Sequence, residues 1–135
     1  MAIIEWSQDL SVDIQSIDEQ HKKLVGMVNT LHDSMKDGKA KDVMAQLVGE
    51  LAAYTDYHFK TEESFFEKYK YPEASTHKIE HDKLRDNVMT LKSKLDKGET
   101  IITVEVLYFL KDWLRKHIMG SDKKYSAFLK NAGVS

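Results

Sequence analysis

Histidines and carboxylates stand where a packed helix wants leucine. His21 leads a run continued by Leu24, Val28, Leu31 and Met35, while His58 and Glu62 sit in a run with Leu47, Leu51, Tyr54 and Phe65. His77 and His81 precede Leu84, Val88, Leu91 and Leu95, and His117 follows Val106, Leu110 and Trp113. Steps of three and four residues mark one face of a helix, and an apolar face of this kind turns inward. An imidazole or carboxylate on such a face carries a penalty of several kcal/mol unless it is hydrogen-bonded or holds a metal. Any fold of this chain has to satisfy these groups together.

The punctuation between the runs predicts four long helices. Ser16-Ile17-Asp18-Glu19 reads as a capping box opening the first, and Asp37-Gly38 ends it. The second is expected from about Lys41 to about Tyr69. Tyr71-Pro72 then makes a turn that places Pro72 at the first position of the third. Lys92, Lys94 and Lys97 favour the C-terminal dipole of that helix, and Gly98 closes it. The fourth starts near Thr100 or Thr103, Gly120 ends or distorts it, and a short helix is expected over 122–130. Short loops between long helices imply antiparallel neighbours. The expectation is one all-α domain over 1–135, an up-down-up-down four-helix bundle. An N-terminal arm (1–16) packs on the bundle (17–119) through Trp6, Leu10, Val12 and Ile14, and a C-terminal tail (120–135) carries the short helix.

In that topology the ligand-type residues meet. His21 lies near the start of the first helix, His58 and Glu62 towards the end of the second, His77 and His81 near the start of the third, and His117 at the end of the fourth. These places are at one end of the bundle. With six histidines and twenty-two acidic residues in 135, any single i,i+4 pair is weak evidence; convergence from four helices is not. Asp122 follows His117 by five residues, which turns an ideal α-helix by about 500° and leaves the two about 140° apart. Both reach one site only if the backbone departs from α-helix between them, and Gly120 is placed for a π-bulge or a helix end.

Seven such side chains exceed the needs of one metal and fit an inner shell for two. The chain has no cysteine, so thiolate sites, iron–sulfur clusters and disulfides are excluded. Zinc favours four ligands in a closed tetrahedron, whereas imidazole suits iron and carboxylates suit bridging. The pattern points to a non-haem di-iron site. The net charge of −2, with lysines and arginines spread along the chain, shows no basic stripe for nucleic acid or an anionic membrane. No apolar run approaches the length of a membrane helix, and residues 1–6 lack a signal-peptide pattern. The expected location is the cytoplasm.

The series His, HxxxE, HxxxH, HxxxxD resembles that of the haemerythrin family, specifically the single-domain bacterial haemerythrins, over nearly the whole chain. The resemblance implies that His77, His81 and His117 hold one iron and His21 and His58 the other. It implies that Glu62 and Asp122 bridge the pair together with an oxo or hydroxo group. It further implies reversible O2 binding at the open position of the second iron, for storage, delivery or sensing, and no enzymatic turnover. Phe59, Trp113, Leu114 and Ile118 match the apolar pocket positions of the family, and Leu24, one turn after His21, adds to them. Two other readings remain beside it: an oxidative di-iron enzyme acting on peroxide or nitric oxide, and a sensory module of a signalling protein. The chain contains no Glu-x-x-His motif of the kind oxygen-activating bundles use. His32 is read as an ordinary helix residue, and Tyr54, Tyr57 and Tyr69 as packing residues.

Overall fold

Glycines and one left-handed lysine end the helices that the apolar steps begin. The computed structural model describes residues 3–38, 41–98 and 104–134. A 3₁₀ turn (Gln8–Leu10) precedes α1 (Gln15–Lys36), α2 (Lys41–Tyr69), α3 (Ala74–Asp96) and α4 (Val104–Lys116). A π-helical turn (His117–Asp122) then runs directly into α5 (Lys123–Asn131). The expected start of the fourth helix at Thr100 or Thr103 lies outside the described residues.

α1 and α3 stop at Gly38 and Gly98, whose φ angles of 69° and 70° lie in the left-handed region that disfavours a Cβ. α2 stops at Lys70, also left-handed with φ 56°. The Tyr71 amide then donates to Phe66 O at 3.0 Å, and the two rings pack at 5.0 Å. This is a Schellman closure with its apolar contact. It uses up the residues before Pro72, so Pro72 lies in the connecting turn rather than at the first position of α3 as expected.

α1 packs against α2 and α4, and α2 against α3. Gln20, early in α1, meets His58 and Thr61, late in α2. Glu63, late in α2, meets His81 and Arg85 in α3. His117, just past α4, meets His77 near the start of α3. Neighbours therefore run antiparallel, and the chain forms the expected four-helix bundle. Among the described residues no helix is long and apolar enough to cross a membrane.

The inward faces of α1 and α3 are the expected ones; in α2 and α4 the expected Leu51, His58, Glu62, Leu110 and His117 are buried, but elsewhere the next residue along takes the inward place. Val48, Thr55 and Phe66 are buried where Leu47, Tyr54 and Phe65 were expected, and Leu107 and Leu114 are buried where Val106 and Trp113 were expected. Tyr54 sits at the bundle edge with the Lys23 ammonium 4.8 Å from its ring centre. A cation placed over an aromatic face is attracted by the ring's quadrupole.

The arm is tied down more firmly than its apolar residues alone required. Ile4, Leu10, Val12 and Ile14 are buried, and the 3₁₀ turn packs on the π-turn. Asn29 of α1 accepts from the Ile3 and Ile4 amides, each at 3.0 Å, and donates to Ile4 O at 2.8 Å. The expected capping box does not form. The helix begins before Ser16, with Ile14 at its N-cap and no side-chain cap bond. Asp18 instead reaches back to the arm, accepting from the Val12 amide at 2.8 Å and the Ser11 hydroxyl at 2.6 Å. Asn29→Ala removes all three arm bonds and is expected to cost about 1–3 kcal/mol. Limited proteolysis should then cut the arm while the bundle is still folded; an arm as resistant as in the wild type would contradict its anchoring by Asn29.

Candidate metal centre

Each helix delivers its ligand-type residues to the same level of the core. His21 comes from α1, His58 and Glu62 from α2, His77 and His81 from α3, and His117 and Asp122 from the π-turn. All seven are at most 6% exposed. The π-turn is the predicted irregularity. Its i→i+5 bonding brings residues five apart onto one face, and His117 Nε2 lies 3.1 Å from Asp122 Oδ1. Gly120 is not what forces it: a Cβ there would meet nothing within 4 Å, and its φ is not positive. A glycine makes the departure from α-helix less costly without being sterically required.

Asp122 is the hub. His77 Nε2 is 3.1 Å from its Oδ1, and His21 Nε2 is 3.0 Å from its Oδ2. Glu62 Oε1 faces His58 Nε2 at 3.3 Å and His81 Nε2 at 3.2 Å. The donor atoms form two groups, each within 4.8 Å: Glu62, His77, His81, His117 and Asp122 in one, and His21, His58, Glu62 and Asp122 in the other. Both carboxylates belong to both groups. The Nε2 atoms of His21, His77, His81 and His117, Glu62 Oε1 and both Asp122 oxygens are buried without a hydrogen-bond partner. Orphaned lone pairs converging from opposite sides are what a pair of cations would satisfy.

Around the donors stand residues that the sequence reading did not single out. Gln20 Oε1 lies 2.6 Å from His58 Nδ1, and Glu63 Oε2 lies 2.8 Å from His81 Nδ1. Glu80 Oε2 is 3.4 Å from His117 Nδ1. The Tyr125 hydroxyl donates to Glu62 Oε2. Gln20 and Glu63 adjoin ligands in the chain and Tyr125 lies three residues past one. That adjacency was the available signal.

Electrostatics fit a metal-binding role. Burial pushes His58 down to about 4 and His81 down to about 3, so both imidazoles offer lone pairs near neutral pH. Burial also opposes charge on His117, but Asp122 outweighs it and raises that pKa. Burial alone would raise Asp122; His117, His21 and His77 outweigh it and hold the carboxyl well below its usual range. Burial, then Glu62, pushes the Tyr125 phenol well above 10, which keeps it a donor.

A cavity of about 30 Å³ adjoins the centre, lined by His21, His58, His117 and Asp122 and by Leu24, Phe59, Trp113 and Leu114 among others. Ile118 is fully buried in the π-turn but is not among the lining residues. Val28, Leu51, Thr55, Leu84, Val88 and Leu110 line it without having been anticipated there. His32, which the sequence assigned no role, lies beside Asp33 and away from the centre.

A family model described as Hemerythrin HHE cation binding domain matches residues 12–129. The chain belongs to the haemerythrin family. The Bacteriohemerythrin of Methylococcus capsulatus is 35% identical over 130 residues, covering 96% of this chain and 98% of that one. The Bacteriohemerythrin of Pseudomonas paraeruginosa is 36% identical over 125 residues, covering 93% and 80%. A crystal structure of wild-type hemerythrin superposes with a TM-score of 0.89 at 33% identity, over 93% of this chain and 97% of that one. Haemerythrin membership implies iron binding, and the buried cluster of histidines and carboxylates fits a metal site.

The metal-free protein should be acid-sensitive. His58 and His81 titrate lower in the folded than in the unfolded chain, where the value is 6.5. The unfolded state therefore binds more protons below that pH, so their contribution is present above it and is lost as pH falls. His117, shifted upward, offsets part of the loss. Urea unfolding of the metal-free chain should show a few kcal/mol less stability at about pH 4.5 than at about pH 7. Equal midpoints at the two pH values would contradict neutral, buried imidazoles.

Proposed function

We propose that this chain binds dioxygen reversibly at a non-haem di-iron centre, for storage, delivery or sensing. The observation that carries the reading is the sharing of Glu62 and Asp122 by two donor groups of unequal size. In this reading His77, His81 and His117 would hold one iron and His21 and His58 the other, with Glu62 and Asp122 available to both. Iron held there would supply the redox chemistry for binding and releasing O2. Two bridging carboxylates and five imidazoles suit a pair of high-coordinate ions better than the closed tetrahedron of zinc.

The unequal groups leave the two-histidine position with room for an exogenous ligand. The cavity meets that position: both of its histidines line it, while of the three-histidine group only His117 does and His77 and His81 do not. At about 30 Å³ the space admits a molecule of the size of O2 and little more. Apart from the ligands, its lining carries polar atoms only on Thr55 and Trp113, and no carboxyl, lysine or second imidazole. Leu24, Phe59, Trp113 and Leu114 keep water from the site, and no acid stands ready to drive the bound molecule onward. These features support binding over oxidative turnover.

Visible spectra of the iron-loaded, reduced protein before O2, after O2 and after purging with inert gas test the reading. A charge-transfer band that appears with O2 and vanishes on purging is expected. A band that never forms, or iron left ferric after one exposure, would overturn reversible binding. His58→Ala should empty the two-histidine position, with about half the iron per chain, no O2-dependent band and a retained helical circular-dichroism signal. Unchanged iron content and O2 binding in that variant would refute the assignment of His58.

A further inference from the structure

The two donor groups differ in what stands behind their histidines. His81 is backed by a fixed carboxylate. Arg85 grips Glu63 with both terminal nitrogens, at 3.1 and 3.2 Å, and Glu63 lies 2.8 Å from His81 Nδ1. Arg85 is itself fixed by Asp56 at 3.0 Å and Asp82 at 2.9 Å. Its guanidinium lies 5.2 Å from the centre of the Phe59 ring, which stacks on His81 at 3.7 Å and 4°. One guanidinium therefore steadies His81 both through its Nδ1 and through its ring face. On the other side His58 Nδ1 meets the neutral amide oxygen of Gln20 at 2.6 Å, and His21 Nδ1 has no hydrogen-bond partner among the described residues.

A carboxylate behind a ligating imidazole draws its outer proton, orients the ring and strengthens Nε2 as a donor; an amide does so less. A stronger donor favours the ferric over the ferrous ion. We propose that Glu63, locked by Arg85, positions and polarises His81 so that the three-histidine iron is the harder to reduce, whereas Gln20 leaves the two-histidine iron the easier. The inference rests on the di-iron reading and deepens it: the half-reduced protein keeps its ferrous ion at the position that faces the cavity. Glu63, Arg85 and Gln20 are positioning residues, acting through the ligands without touching the metal.

The test exchanges amide and carboxylate at near-constant shape. Iron-loaded wild type, Glu63→Gln and Gln20→Glu are titrated potentiometrically, with iron per chain counted and thermal melting of the metal-free forms recorded beside it. Glu63→Gln is expected to raise the lower reduction step, and Gln20→Glu to lower the upper one. Glu63→Gln should also yield its iron at a roughly 10- to 100-fold lower chelator concentration. A merely structural role would lower melting of the metal-free forms and leave the steps in place, or move both variants in the same direction. Either result overturns the proposal. A wild-type chain that holds a single iron overturns the di-iron reading and this inference with it; two irons with unmoved potentials overturn the inference alone.

Discussion

Two carboxylates buried among five imidazoles are the constraint on which the rest of this bundle depends. Glu62 and Asp122 are fully buried, and their oxygens lie 3.0–3.3 Å from the Nε2 atoms of all five histidines. No apolar core accommodates such groups without a compensating charge. In the metal-free chain the compensation is partial: His117 is drawn towards its charged form beside Asp122, while His58 and His81 stay neutral. The orphaned lone pairs that remain are ones that cations could satisfy. The antiparallel order of the helices follows from the same need, since it alone brings the ends of α2 and α4 to the starts of α1 and α3.

How far this was legible from the sequence depended on whether a signal was local. The four helices and the convergence of the donor residues were legible because their steps of three and four survive in the chain itself. The π-turn was legible too, because five residues separate His117 from Asp122 and no α-helix brings both to one site. The inward face of α2 and α4 was read one residue off where two apolar residues adjoin, as at Phe65 and Phe66 or Val106 and Leu107; periodicity cannot choose between such neighbours. Ser16 was misread as a cap because the partners of Asp18 lie in the arm, six and seven residues away. Glu63 and Tyr125 went unremarked for the same reason. Their partners sit on other helices, 18 and 63 residues distant.

The asymmetry of the centre gives it direction. The group rich in histidine is ringed by aromatic faces, with Phe59 on His81 and Trp113 on His117, and is backed by carboxylates. The smaller group faces a small, apolar cavity and is backed by an amide. In the proposed reading, the smaller group is the one with room for a small molecule.

The central claim is that one chain holds two irons joined by Glu62 and Asp122, and the magnetism of the oxidised, iron-loaded protein tests it most directly. Bridged ferric ions couple their spins. The account predicts two irons per chain with a diamagnetic ground state and no electron paramagnetic resonance signal. Two irons that behave as independent high-spin ferric ions, or a single paramagnetic iron per chain, would contradict it.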